Sequence, residues 1–111
     1  YNNGNMKRDF TYIDDIILGT RAAIEKNYKC EIFNLGNNRI EKLMDMISLI
    51  EKSIGKKAKI NFLPMQKGDV KETFADINKS IKMLNYKPTT NIDKGINQFI
   101  YWYLNYKQNS S

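Results

Sequence analysis

The chain has 111 residues, 41% hydrophobic and 27% charged, which is typical of a single globular domain with a modest core and excludes a disordered tail. Its formal net charge is +6, but the 18 cations are scattered through every segment without a DNA- or RNA-binding signature, which favours a solvated lysine-rich surface over a nucleic-acid partner. No apolar run approaches the roughly 20 residues that a membrane-spanning helix needs, so we expect no membrane partner.

The sequence has no histidine and a single cysteine, which excludes a His/Cys metal site, a Cys–His dyad and an intramolecular disulfide. One cysteine also fits a reducing, cytoplasmic compartment. Cys30 precedes the apolar residues Ile32, Phe33 and Leu35, so we expect a small buried side chain there and not a nucleophile. The chain begins at Tyr1 instead of Met, and we therefore expect a fragment of a protein that begins upstream.

The first informative stretch is K-R-D-F-T-Y-I-D-D-I, at residues 7–16. The β-branched and aromatic residues at 10–13 predict an extended backbone. Asp14 and Asp15 then favour the start of a helix, because negative charge is stabilised near a helix N-terminus. Apolar residues recur at helical spacing beyond this point and predict a first helix from about Ile13 to Asn27.

The middle of the chain predicts two short strands with a helix between them. Residues 31–35 and 59–63 are apolar enough, and alternate well enough, to predict the strands. The helix between them is expected to stop at Gly55. Its apolar face comprises Ile40, Leu43, Ile47, Ile50 and Ile54.

A polar loop at residues 65–73 precedes the last two predicted helices. Asp76 is a candidate cap for the third helix, whose inner face is predicted to carry Ile77, Ile81 and Leu84. Thr90-x-x-Asp93 resembles a capping box before the fourth helix. The elements together predict a small α/β protein of mixed α+β type, with about four helices and two or three short strands.

The last helix carries an aromatic cluster, Y-W-Y at residues 101–103. Exposed aromatic side chains can act as stacking platforms for nucleic-acid bases. Aromatic residues at helical spacing, however, usually contribute to a core. We therefore predict that this stripe is buried.

Two of the predicted loops contain residues that can hold a ligand. Arg8 lies at the junction of an extended segment and a helix, where its planar guanidinium can bind an anion. The alternative is that Arg8 pairs with Asp9 or Asp14 at the surface. Gly68 permits close backbone approach beside Asp69, whose carboxylate can accept hydrogen bonds from ligand hydroxyls. A plain turn is the alternative there.

Four motifs in chain order resemble the nucleotide-sugar epimerases of the extended short-chain dehydrogenase/reductase superfamily. Among these enzymes, the UDP-glucuronate 4-epimerase type is the most similar. The motifs are G-x-M-x-R-D-F-T-Y-I-D-D-I at 4–16, I-F-N-L-G-N at 32–37, L-P-M-Q-x-G-D-V at 63–70 and T-x-A-D at 73–76. The aromatic residues at 99–103 resemble the final helix of this family. The similarity therefore extends over nearly the whole chain.

The resemblance implies that residues 1–111 are the C-terminal, substrate-binding portion of an NAD-dependent enzyme of polysaccharide biosynthesis. The N-terminal Rossmann domain, which binds NAD through a glycine-rich turn, would be missing, as would the family's catalytic Tyr-x-x-x-Lys pair. Tyr103 and Lys107 have that spacing, but they follow the Arg-Asp motif, whereas the family's pair precedes it. We therefore predict no catalytic residue in this chain, and an inactive fragment.

The same resemblance implies the substrate-binding residues. Arg8 would contact the diphosphate of a UDP-sugar, Phe10 would lie near its ribose, and Asp69 would bind the sugar hydroxyls of the nucleoside. Some members of the family carry arginine three residues before this aspartate; the chain has Gln66 there, which is the fourth candidate substrate-binding residue. Arg8 is therefore expected to bind the diphosphate largely alone or together with residues of the missing portion.

Three functional hypotheses remain open from the sequence. The first is the UDP-sugar-binding part of an epimerase or a nucleotide-sugar dehydratase, the second a non-enzymatic binding module on the same fold, and the third a small basic nucleic-acid binder. Under the first, the resemblance implies that residues 31–35 and the first helix pack against the Rossmann domain. The isolated chain would then expose them and self-associate or exchange strands.

Overall fold

The computed structural model describes residues 1–110 and shows a mixed α/β fold with four α-helices and one small sheet. The fold class predicted from the sequence is therefore confirmed. The elements in chain order are a 3₁₀ turn Asn2–Gly4, β1 Lys7–Arg8, α1 Ile13–Lys26, β2 Glu41–Lys42, α2 Leu43–Ile54, α3 Asn78–Leu84 and α4 Ile92–Asn109. Helix α2 packs against α4, and α1 packs against α3.

Strand β1 is the point at which distant parts of the chain meet. It pairs antiparallel with β2, with Lys7 opposite Lys42 and Arg8 opposite Glu41. On its other side, the Lys7 amide donates to the Lys71 carbonyl at 2.9 Å, and the Thr73 amide donates to the Lys7 carbonyl at 3.3 Å. A strand of two residues therefore holds the loop before α2 and the loop before α3 in fixed positions.

Helix α1 begins and ends where its sequence predicts. Asn27 follows the helix in the left-handed conformation, with φ 53°, and its amide donates to the Ala23 carbonyl. The face that packs inward is formed by small residues: Asp15 and Gly19 are buried, and Ala22 packs on the core. The isoleucine face is exposed, as expected for the isolated chain, with Ile17 57% exposed. Self-association through this face stays a prediction.

The core is small and lies between α1, α3 and the segment that follows α3. Ile77, Leu84 and Tyr86 are buried together. Around them pack the partly buried side chains of Ala22, Ala23, Phe33, Leu35 and Ala75.

The two strands predicted at residues 31–35 and 59–63 are wrong, because neither segment forms a strand among residues 1–110. An alternating apolar pattern suits an extended backbone, but a strand also needs a partner for its backbone groups. In the first segment, the Asn34 carbonyl accepts from Ser80 Oγ at 2.6 Å. In the second, the Leu63 carbonyl accepts from the Asn3 amide at 2.9 Å.

The later helices differ from their predicted boundaries in detail. Helix α2 begins at Leu43, so Ile40 precedes it, and it ends before Gly55 as predicted. Ile77 stands at the N-cap of α3, although Asp76 accepts from the Asn78 amide at 3.1 Å. The predicted inner residue Ile81 is 47% exposed.

The observed N-cap of α4 is one residue after Thr90, the N-cap of the predicted capping box. Asn91 caps the helix, and its side-chain oxygen accepts from the Lys94 amide at 2.9 Å. The Thr90 amide cannot take part in a cap of α4, because it donates to the Asp15 carboxylate at 3.0 Å. A tertiary contact therefore overrides the local capping signal at Thr90.

Burial was wrongly predicted for the aromatic stripe of α4 and for Cys30, since both are exposed. Tyr101 is 73% exposed and Trp102 54% exposed. The aromatic side chains instead stack on one another along the helix, with Trp102 and Tyr106 ring centroids 5.4 Å apart. Among the described residues, these rings therefore contact one another along α4. Within the described residues, no helix has the length and apolar character required to cross a membrane.

Candidate functional site

The structure brings together two of the residues predicted to bind substrate, Arg8 and Asp69. Arg8 Nη2 lies 2.8 Å from Asp69 Oδ1, although the two residues are 61 positions apart in the chain. The side chains are 27% and 31% exposed, so solvent reaches both partners of the ion pair. The pairing of Arg8 with Asp9 or Asp14 considered above is not found.

A tight turn presents Asp69 to Arg8. The Asp69 amide donates to the Gln66 carbonyl at 3.2 Å, and Gly68 has φ +83°. A positive φ at the third position of a turn favours glycine, because a side chain there would be strained. Gln66 therefore contributes to the turn through its backbone, while the residue itself is exposed.

Arg8 is held by three acceptors and keeps further donors. Its Nη1 donates to the Lys7 carbonyl at 2.8 Å and to the Lys71 carbonyl at 3.3 Å. A guanidinium carries five N–H groups, so Nε and one N–H of Nη2 have no acceptor among the described residues. These donors remain for an anion that approaches from solvent.

The Asp69 carboxylate also keeps one oxygen without a hydrogen-bond donor among the described residues. Its Oδ1 accepts from Arg8 and from the Val70 amide at 2.8 Å. Its Oδ2 has no hydrogen-bond donor among residues 1–110 and can accept from a ligand hydroxyl. Arg8 thus presents free N–H donors beside the free acceptor oxygen of Asp69. This arrangement suits a ligand in which an anion is joined to a polyol.

Asp9, next to Arg8, anchors two loops through its carboxylate. Oδ1 accepts from the Asn37 amide at 3.1 Å, and Oδ2 accepts from the amides of Asn38 at 2.8 Å and Ala75 at 3.0 Å. Gly36 permits this approach, because a Cβ there would overlap the Cβ of Ala75 and lie 3.0 Å from Asp9 Oδ2. Asp9 therefore fixes the backbone that carries Arg8.

Asp15 has the corresponding role at the start of α1. It is 1% exposed, and its two oxygens accept from the amides of Thr89 at 3.1 Å and Thr90 at 3.0 Å. Sequence reasoning placed Asp15 at the helix N-terminus but missed these acceptor contacts. A signal for its burial was present, because Asp15, Gly19 and Ala22 have the i, i+4, i+7 spacing of one helix face.

Phe10 lies on a different feature from Arg8 and Asp69. It lines an open groove of about 770 Å³ between α2 and α4, together with Tyr12, Met46, Ile50, Ile96 and Trp102. Arg8, Gln66 and Asp69 do not line this groove. The position of Phe10 near the ribose of a nucleotide stays a prediction.

Burial raises the pKa of Tyr86 to about 12 from its ordinary value of 10.0, with smaller contributions from the nearby carboxylates of Asp15 and Asp9. Tyr86 is 4% exposed, and its hydroxyl donates to the Gly36 carbonyl at 2.8 Å. An ionised Tyr86 would lose that hydrogen bond and carry a buried charge. The folded chain therefore retains this proton more tightly than the unfolded chain does.

We expect this tyrosine to make the free energy of unfolding depend on pH only in alkali. Below about pH 10 its contribution is fully present, because the phenol is protonated in both states. Between pH 10 and 12 the unfolded state loses the proton first, and stability falls by about 2–3 kcal/mol. Urea denaturation of the unchanged chain and of Tyr86→Phe at each pH isolates the contribution of Tyr86. The lysines titrate in both proteins, so their contribution cancels in the comparison. Equal alkaline slopes would contradict the assignment.

The residues present do not fit an NAD site of the Rossmann type. Such a site needs closely spaced glycines in a turn between a strand and a helix. The chain's glycines stand at 4, 19, 36, 55, 68 and 95, so no G-x-G pattern occurs. Neither of the two-residue strands is followed by such a turn. No chemical step of a nicotinamide cofactor is therefore assigned to these residues.

Comparison with known proteins shows relatives over almost the entire chain. No protein-family model matches it. An uncharacterized protein of Methanocaldococcus jannaschii is 55% identical over 96% of this chain and 33% of its own length. The UDP-glucuronate 4-epimerase of Thermodesulfobacterium geofontis is 43% identical over 92% of this chain and 32% of its own length. The chain thus spans about a third of the curated relatives that it matches.

Solved structures give the same result. The UDP-glucuronic acid 4-epimerase of Bacillus cereus, in complex with NAD and a UDP-4-deoxy-4-fluoro-glucuronic acid, is 41% identical over 87% of this chain and 32% of its own, with a TM-score of 0.76. The UDP-glucose 4-epimerase of Thermotoga maritima, with UDP-glucose, is 25% identical over 95% of this chain and 34% of its own, with a TM-score of 0.83. The resemblance is confirmed. Nearly the whole chain is related to UDP-glucuronate 4-epimerases and similar nucleotide-sugar epimerases of the extended short-chain dehydrogenase/reductase superfamily, and it matches about a third of the length of each.

Proposed function

We propose that residues 1–111 are the C-terminal, UDP-sugar-binding portion of an NAD-dependent, cytoplasmic nucleotide-sugar epimerase of the UDP-glucuronate or UDP-glucose 4-epimerase type. The observation that supports this most directly is the contact between Arg8 Nη2 and Asp69 Oδ1 at 2.8 Å. It joins the two residues that the resemblance assigns to neighbouring parts of one nucleotide. The Rossmann portion and the proton-abstracting pair lie outside this chain in the proposal.

In this assignment, the residues of the chain bind and orient the substrate. Arg8 donates from Nε and Nη2 to oxygens of the diphosphate, in hydrogen bonds that are strengthened by charge. Asp69 Oδ2 accepts from a ribose hydroxyl, and Phe10 provides an apolar surface beside the nucleoside. Gln66 fixes the turn through its carbonyl, which accepts from the Asp69 amide at 3.2 Å.

Asp9 and Asp15 support this binding geometry from behind the site. Asp9 holds the loops around Asn37 and Ala75 against the end of β1. Asp15 holds the turn at Thr90 against α1. Because a displacement of about 1 Å in a binding group can greatly weaken its action, such anchors matter for affinity.

Titration with UDP tests the proposal. UDP is expected to bind the chain weakly, with a dissociation constant on the order of millimolar, because only half of a pocket and a solvent-screened cation hold it. Amide resonances around Arg8 and Asp69 should shift. Arg8→Lys should weaken binding nearly as much as Arg8→Ala, because lysine keeps the charge but loses the planar fork of donors.

Arg39→Lys is the matched control, since Arg39 is exposed and lies outside the site. It should leave the UDP affinity unchanged. If UDP shifts neither the Arg8 nor the Asp69 resonances, the assignment of the nucleotide site to this chain is wrong.

A further inference from the structure

Both cations of β1 are neutralised by carboxylates from the same loop. Lys7 Nζ lies 3.2 Å from Glu72 Oε2, and Arg8 Nη2 lies 2.8 Å from Asp69 Oδ1. The chain as a whole has a formal net charge of +6, and Lys67 and Lys71 lie in the same loop, but the two cations of β1 themselves are paired. A site built to attract any polyanion would leave its cations unpaired.

We infer that Asp69 is a specificity-determining residue that discriminates against free polyanions and favours a diphosphate esterified at both ends and carrying a hydroxyl. The inference rests on the proposed function and deepens it. Asp69 has two opposing effects on a ligand of Arg8. It repels negative charge through its carboxylate, and it offers Oδ2 as an acceptor to a hydroxyl.

The repulsion follows from distance. A phosphate oxygen that accepts from Arg8 lies about 2.9 Å from the donating nitrogen. Asp69 Oδ1 lies 2.8 Å from Nη2 of the same guanidinium. The two anionic groups are then only about 5–6 Å apart, where like charges repel appreciably near a protein surface. Free pyrophosphate carries more charge at neutral pH than a diphosphate esterified at both ends, and it is therefore penalised more.

The repulsion by Asp69 is compensated only in a ligand that carries a hydroxyl group. Oδ2 has no donor among residues 1–110, and a ribose hydroxyl can donate to it while the diphosphate occupies Arg8. Free pyrophosphate has no such group beside its phosphates and receives only the repulsion. The Asp69 carboxylate thus weakens the binding of pyrophosphate and strengthens the binding of a diphosphate that carries a ribose hydroxyl. Specificity is the difference between these two affinities.

Asp69→Asn tests the inference, with UDP-glucose and inorganic pyrophosphate as probes. The substitution keeps the side-chain shape and removes the charge. At low ionic strength, pyrophosphate affinity should rise about 3–10-fold, while UDP-glucose affinity falls because a charged acceptor is lost. The ratio of the two dissociation constants should therefore change about tenfold or more. Isothermal titration calorimetry at matched ionic strength measures both affinities.

Two further variants separate a local effect from a general effect of charge. Asp93→Asn removes the same charge from the exposed first turn of α4 and should leave both affinities unchanged. Arg8→Ala combined with Asp69→Asn should lose the gain in pyrophosphate affinity. A gain that persists without Arg8, or that Asp93→Asn reproduces, overturns the inference.

The remaining outcomes distinguish the inference from the proposed function. If Asp69→Asn weakens UDP-glucose binding but does not raise pyrophosphate affinity, Asp69 is a hydroxyl contact only, so the inference fails and the proposed function stands. If wild-type chain does not bind UDP-glucose but Asp69→Asn gains pyrophosphate affinity, the proposed function fails and the electrostatic role of Asp69 is supported. Absence of binding by every variant overturns both.

Discussion

Asp15→Ala is expected to lower the free energy of unfolding by about 3–5 kcal/mol, the largest effect of any single substitution considered for this chain. The carboxylate is 1% exposed and accepts from the backbone amides of Thr89 and Thr90. Hydrogen bonds to a charged group contribute about 1.5–3 kcal/mol each. Thr90 is buried, so its amide would keep no partner after the change, whereas the exposed Thr89 can turn to water.

Asp14→Ala is the matched control for this prediction. Asp14 neighbours Asp15 in the first turn of α1 but is exposed, so its substitution removes only a favourable interaction with the helix dipole, about 0.3–1 kcal/mol. Urea denaturation followed by circular dichroism measures both variants. Equal losses of stability for Asp14→Ala and Asp15→Ala would show that helix charge, and not the buried contact, is what Asp15 contributes.

The second large effect is expected for Asp9→Ala, which should cost about 2–4 kcal/mol of stability. Its carboxylate accepts from three amides, those of Asn37, Asn38 and Ala75. The half-buried position of Asp9 lets water replace part of the loss, so the expected cost is smaller than that of Asp15. Hydrogen exchange of the three amides should accelerate, because they lose their acceptor.

Asp76→Ala serves as the control for Asp9. Asp76 is exposed, and its carboxylate accepts from the Asn78 amide within its own turn. Its loss should cost no more than about 1 kcal/mol and leave the exchange at Asn37 unchanged. Unaltered exchange at Asn37 in Asp9→Ala would contradict the anchoring role of Asp9.

The helices could be predicted because their signals are local. Apolar residues at 3.6-residue spacing predicted α1 and α2 closely, and Gly55 marked the end of α2. Arg8 and Asp69 were predicted as site residues from the resemblance, but their direct contact was not. Nothing in a sequence reports which residues 61 positions apart will meet.

The partners of the anchoring carboxylates could not have been predicted, because they are backbone amides. Every residue except proline carries such a donor, so the sequence around Thr90 or Asn37 does not identify it as the partner of an aspartate. The two predicted strands were wrong for a related reason, since a strand depends on a partner that its own residues do not specify. The aromatic stripe of α4 was mispredicted because helical spacing does not distinguish a buried face from rings that stack on one another.

The long-range anchoring described for Asp9 and Asp15 has a kinetic consequence. Their bonds to Asn37, Ala75 and Thr90 close loops of 28, 66 and 75 residues. Closing such loops costs chain entropy before any contact compensates for it, which slows folding relative to a protein built from local contacts. The helices can form in microseconds. We therefore expect the closure of these loops to limit the folding rate, and Arg8 to meet Asp69 only late in folding.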